Sequence, residues 1–140
     1  MTEQIKWTAK NHDKLSELAA KRITGPDDRD CSRQACEIGL GQFLGLEVGT
    51  NVLDPLLDTE ANPVAASNAQ VGDIIRYAKD NNVATHFANF IFRNDDGTPI
   101  AFSKSGMTGP YEVGDPGDLQ RAYGTIRGRN DGDSGYYHRK

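Results

Sequence analysis

The sequence predicts an α+β protein, with N-terminal helices packed on a small antiparallel sheet. Helical periodicity is confined to the first third of the chain, and period-two alternation of apolar and aromatic residues takes over from Ile74. The strand-like runs follow one another through turns rather than through intervening helices, which argues against the alternating βαβ units of a parallel sheet.

The first helix is predicted over residues 11–22, where Leu15, Leu18, Ala19 and Arg22 recur at helical spacing before Thr24-Gly25-Pro26 stops the pattern. A polar stretch, Asp27-Asp28-Arg29-Asp30, leads into a second helix that opens at Cys31 and carries Cys36, Leu40, Phe43 and Leu44 on one stripe. Gly39, Gly41 and Gly45 each weaken that helix by roughly 1 kcal/mol, so they imply close packing or an early end. Residues 47–70 read as loop, because Asn51, Pro55, Asn62 and Pro63 interrupt any period. Three strand-like runs follow, at 74–77, 85–92 and 99–103, and the Asp96-Gly97 step marks a hairpin between the last two. The glycine-rich remainder is predicted to hold one short helix at 118–122 and a closing strand at Tyr136-Tyr137, with His138 in a frayed tail.

Composition narrows the function classes. A chain of 140 residues suits one domain with a modest core. The net charge of −4 argues against phosphate neutralisation as the main task, so nucleic acid is not expected as a partner. No run approaches the roughly 20 apolar residues needed to cross a bilayer, and residues 1–14 lack an apolar signal core. The expectation is therefore a chain made in the cytoplasm, with no membrane insertion, that reaches any outside destination by a secretion system. Cys31 and Cys36 stand about 140° apart around a helix, a poor geometry for a bridge. His12, His86 and His138 are too scattered for a closed metal site, so neither metal nor cofactor is expected.

Cys31 is the candidate nucleophile. At the first turn of a helix, unpaired N–H groups and the helix dipole favour the thiolate over the thiol. Asp30 and Ser32 flank it as candidate caps, and a rigid first turn offers N–H donors to a developing oxyanion. Cys36 reads as plain core. His86 is the candidate base: it begins the strongest strand run and shares a face with Ala88, Phe90 and Phe92, while Asn89 and Arg93 point the other way. A helix start packed across that face would bring thiol and imidazole together.

Asp30-Cys31-Ser32 at a helix start, Val71-Gly72-Asp73-Ile74-Ile75 opening a sheet, and His86 leading a strand into a glycine-containing hairpin together resemble the papain-like NlpC/P60 cysteine peptidases. Ser103-Lys104-Ser105-Gly106, Gly109-Pro110-Tyr111-Glu112, Tyr123-Gly124 and Tyr136-Tyr137-His138-Arg139 resemble the C-terminal part of such domains in bacterial toxins and effectors. The resemblance runs from Asp30 to the C-terminus. It implies a single papain-like domain over 1–140, with 1–26 as a helical extension and 27–140 as the catalytic core. It also implies amide hydrolysis in peptidoglycan stem peptides by a Cys31–His86 dyad, export to the periplasm or a target cell, and a neutralising immunity protein. The family often places a second histidine on the strand after the base to orient the imidazole; residues 99–103 carry none, so the resemblance leaves Ser103, the polar side chain on the face of Ala101, as the candidate third catalytic group, or a backbone carbonyl in its place.

Two other readings use the same residues. One is a papain-fold deamidase or acyltransferase acting on a protein substrate; the other is a non-catalytic binding module in which His86 merely packs. Asp131-Gly132-Asp133-Ser134-Gly135 begins like a calcium loop but lacks the closing glutamate, and reads as a turn. Arg121, Arg127, Arg129 and Lys104 read as solvated charges.

Overall fold

The computed structural model describes residues 32, 35, 36, 39, 40, 49–104 and 111–140. The predicted helix at 11–22, the polar run at 27–30 and Cys31 lie outside them. Ser32, Ala35, Cys36 and Gly39 are helical, as the periodicity predicts. Next come α1 (Thr50–Glu60), β1 (Ala61–Val64), β2 (Ile74–Ala78), β3 (Ala84–Arg93), β4 (Pro99–Lys104), β5 (Tyr111–Gly114), α2 (Gln120–Tyr123), β6 (Thr125–Ile126) and β7 (Tyr136–Arg139). The strands form one antiparallel sheet in the order β1-β7-β2-β3-β4-β5, with β6 beside the end of β2. The α+β class is therefore observed.

Both faces of the sheet are covered, which is why all five residues of β2 are buried. On the helical face, Ala35, Cys36 and Leu40 join Leu53 and Leu57 of α1 against Ile74, Ala84, Phe87 and Tyr137. Gly39 lies so close to Ile74 and to the Gly72 carbonyl that a side chain there would collide, the close packing its place in a helix implied. The opposite face holds Ile75, Tyr77, Ala88, Phe90, Ala101 and Tyr136, overlaid by Val64, Ala66, Ala69, Leu119, Tyr123 and Ile126. The hairpin between β3 and β4 forms at the Asp-Gly step, with Gly97 N–H donating to the Asn94 carbonyl at 2.9 Å.

The predicted loop at 47–70 is instead a helix, an edge strand and a 3-10 turn at Ala66–Asn68. Leu53 and Leu57, four apart, bury one stripe of α1 and outweigh the hydrogen bond that Pro55 forfeits on the exposed side. Pro63 is tolerated because, among the described residues, β1 pairs with β7 alone, at the edge of the sheet. The frayed tail is also corrected. His138 lies on β7, paired with Asn62, and β7 extends β2 through Ile74–Tyr137 and Ile75–Tyr136.

Candidate active site around His86

His86 sits opposite Tyr77 in the β2–β3 ladder. A register shift there pairs Ala78 with Ala84, so β3 carries one extra residue at Thr85. That bulge separates Ala84, on the helical face, from His86, which joins Ala88 and Phe90 on the other. The imidazole stacks on Tyr123, with ring centroids 3.8 Å apart and planes 8° from parallel, and tilts against Tyr77 at 5.5 Å. Tyr77 in turn donates its hydroxyl to the Pro116 carbonyl at 2.6 Å, tying this face to the segment before α2. Burial pushes the Tyr77 phenol well up.

Only 1% of His86 is exposed. Burial pushes its pKa down to about 4, so the ring is neutral at neutral pH. Its Nε2 is buried and has no hydrogen-bond partner among the described residues.

A second register shift, between Phe90 and Phe92, changes two predicted orientations. Phe90 pairs with Ala101 and Phe92 with Ile100, so these two aromatics face opposite sides, and Arg93 returns to the side of Phe90. The Arg93 guanidinium lies 5.2 Å from the Phe90 ring centroid. Phe92 therefore does not share the face of His86, and Arg93 does. Bulges leave no mark in an alternation pattern, which is why the simple pleat misplaces both.

Cys31 and Asp30 lie outside the described residues. Ser32 is fully buried in the helical segment. The described part of that helix packs on the face opposite His86, where Asn89 Nδ2 donates to the Ala35 carbonyl at 3.3 Å. The expectation that this helix crosses the face of His86 is thus corrected for Ala35 and Cys36. Ser103 shares the face of Ala101 and is 1% exposed. Rather than bonding to the imidazole, it lines a cavity of about 340 Å³ with Ala101, Val113, Gly114, Asp115, Asp118 and Leu119.

His138 is the functional candidate that sequence reasoning passed over. Its Nδ1 lies 2.5 Å from Asp73 Oδ1, and Asp73 is almost wholly buried while the His138 ring is partly exposed. The pair stands at the far end of β2 from Tyr77 and His86. Its signal was the tyrosine pair before it, which marks β7 as buried strand. Arg129, expected as a solvated charge, is bound to Asp54 at 2.7 Å and Asp58 at 3.1 Å. The 131–135 segment is a turn, closed by the Ser134 hydroxyl on the Val64 carbonyl. Among the described residues, no group of three or more His, Cys, Asp or Glu side chains is arranged to hold a metal ion. None of their helices is long and apolar enough to cross a membrane.

Gly124 fixes the tyrosine that stacks on His86. It adopts φ 99° and ψ −169°, a region essentially reserved for glycine, and an added Cβ would lie 2.7 Å from the Ala78 carbonyl carbon. Gly124→Ala is expected to cost about 2–4 kcal/mol in urea unfolding at pH 7. A loss under about 0.5 kcal/mol would show that the turn relaxes without cost.

Comparison with known proteins returns no relative: no protein-family model, curated protein or solved structure matches the chain.

Proposed function

We propose that the protein is a papain-like cysteine hydrolase that cleaves amide bonds in peptidoglycan stem peptides, with Cys31 as nucleophile and His86 as base. The observation that carries the reading is the unengaged Nε2 of a buried, neutral imidazole. A histidine kept only for packing normally has its ring nitrogens satisfied, because an orphaned buried polar atom costs about 1–3 kcal/mol. In a general base that nitrogen is held for a proton. Nε2 takes the Cys31 thiol proton as sulfur attacks the amide carbon, and returns it to the departing amine as the C–N bond breaks. Water then cleaves the thioester and restores the thiol. The Asp-Cys-Ser helix start adds to the support, as does the resemblance of the later motifs to effector domains, which brings with it export and an immunity partner.

A second reading, the non-catalytic binding module, is favoured by the packing of Ala35 and Cys36 on the face opposite His86. One pair of measurements separates the two. Incubation with sacculi, followed by mass spectrometry of the soluble products, is expected to show new free amines and to identify the bond, with Cys31→Ala silent yet folded. Iodoacetamide labelling of Cys31 at pH 6 is expected to slow at least roughly tenfold in His86→Gln, through loss of the base. Intact sacculi with equal labelling rates would establish the binding module. Intact sacculi with ammonia released from glutamine side chains of added protein would establish the deamidase.

A further inference from the structure

We infer that residues 117–124 form a strap over His86, which lifts as a unit to uncover the imidazole and closes to shut it away. The inference rests on the reading of His86 as a base, and it deepens that reading by naming how access to the base is controlled. A base must come within about 2.6–3.2 Å of the proton it takes. His86 is 1% exposed and carries Tyr123 stacked face to face on its ring at 3.8 Å, so a group arriving from solvent cannot reach it while the strap is down.

The two ends of the strap are fixed. Pro116 is buried and its carbonyl takes the Tyr77 hydroxyl at 2.6 Å, while Thr125 and Ile126 pair with Ala78 and Tyr77. Between these anchors the hold is light. Gln120, Arg121 and Ala122 are exposed, α2 buries no residue, and Leu119 and Tyr123 are only partly buried where they meet the core. A segment with so little buried surface belongs to the least stable part of a fold. Gly117 and Gly124 bound it, and small residues at the ends of elements commonly absorb the backbone rotation of a hinge.

The contact itself is built for two states. The Thr85 hydroxyl has one proton; it donates to the Tyr123 carbonyl, and the Tyr77 carbonyl lies 3.3 Å from the same oxygen. Lifting therefore passes the bond from strap to sheet without orphaning the donor. Nε2 acts in the same direction, since closure leaves it without a partner among the described residues and opening admits water to it. Ring stacking closes the strap, hydration of Nε2 opens it, and the open state is expected in about 0.1–10% of molecules.

The probe is diethyl pyrocarbonate at pH 7, which acylates neutral imidazole nitrogens in the full chain, with the rate at His86 read by mass spectrometry of its peptide. Labelling is expected about 10–1000-fold more slowly than in an unstructured peptide of the same sequence, in proportion to the open fraction. Because lifting exposes little surface, the rate should stay flat as urea is raised below the unfolding transition, whereas a route through global unfolding climbs steeply. Thr85→Val, which keeps the shape and removes the hydroxyl, should speed labelling about threefold to tenfold, and Leu119→Ala about fivefold or more. His138, at the far end of β2, is the internal reference and should label alike in parent and variants. A rate equal to that of the peptide, a rate that climbs from the first addition of urea, or no change in either variant would overturn the inference. The readout involves neither Cys31 nor sacculi, so intact sacculi beside the expected labelling would count against the hydrolase and leave the strap standing.

Discussion

Replacing Arg76 with methionine is expected to lower the unfolding free energy by about 3–5 kcal/mol, a large part of the stability of an ordinary domain. The guanidinium is 1% exposed and fully used. Nε donates to Asp54 Oδ1 at 2.6 Å and Nη2 to Asp54 Oδ2 at 3.2 Å, a two-pronged grip on α1. Nη1 reaches the Asn82 side chain and the carbonyls of Arg127 and Gly128, while Nη2 also reaches the Asn82 carbonyl at 2.7 Å. One side chain on a central strand thus ties together α1, the β2–β3 turn and the segment before β7. Methionine fills similar space but leaves Asp54 with Arg129 as its one cation within 4 Å among the described residues, and strips donors from several acceptors at once. Lysine cannot reproduce the fork, so Arg76→Lys should recover little. Pairing Arg76→Met with Asp54→Leu should regain part of the loss, since a matched apolar pair need not desolvate a charge. Urea unfolding at pH 7 measures all three; a single-variant loss below about 1 kcal/mol would show that water replaces the guanidinium.

Nothing in the sequence singled out that arginine, because it sits in Ile74-Ile75-Arg76-Tyr77, a run whose apolar neighbours already account for a strand. The strands and the hairpin were legible for the same reason: alternation and an Asp-Gly step are local signals, and β2, β3 and β4 follow them. The helix at Thr50–Glu60 was hidden by Pro55, whose effect depends on facing solvent, a fact of tertiary packing. The edge strand at Ala61–Val64 was hidden by Pro63, which is acceptable because, among the described residues, no strand pairs on its outer side.

The placement of the candidate residues was legible only in part. His86 was placed correctly beside Ala88 and Phe90, and Ser103 does share their face. The two bulges that fix Ala84, Phe92 and Arg93 have no sequence signature, and the layer covering each face of a sheet is decided by packing between distant segments. The stacking of Tyr123 on His86 is another such long-range event, arranged by a short helix and a glycine turn some 37 residues further along the chain.

His86→Phe is expected to remove about 2–3 kcal/mol of acid destabilisation at pH 4.5. Burial lowers the folded-state pKa from 6.5 to about 4, so between these values the unfolded chain binds a proton that the folded chain refuses. The contribution of His86 is fully present above about pH 6.5, shrinks as the pH falls, and levels off below about 4. Phenylalanine keeps a ring against Tyr123 and Tyr77, has no proton to bind, and eliminates the orphaned Nε2. At pH 7 the variant should be at least as stable as the parent; at pH 4.5 it should exceed the parent by about 2–3 kcal/mol more than it does at pH 7. Comparing the two proteins at each pH cancels the groups that they share. Equal slopes would show that His86 accepts a proton in the folded state, with water reaching the ring. A variant that is more stable at pH 4.5 yet inactive on sacculi would separate the two roles of this imidazole, the acid cost of burying it and the proton it takes in the proposed reaction.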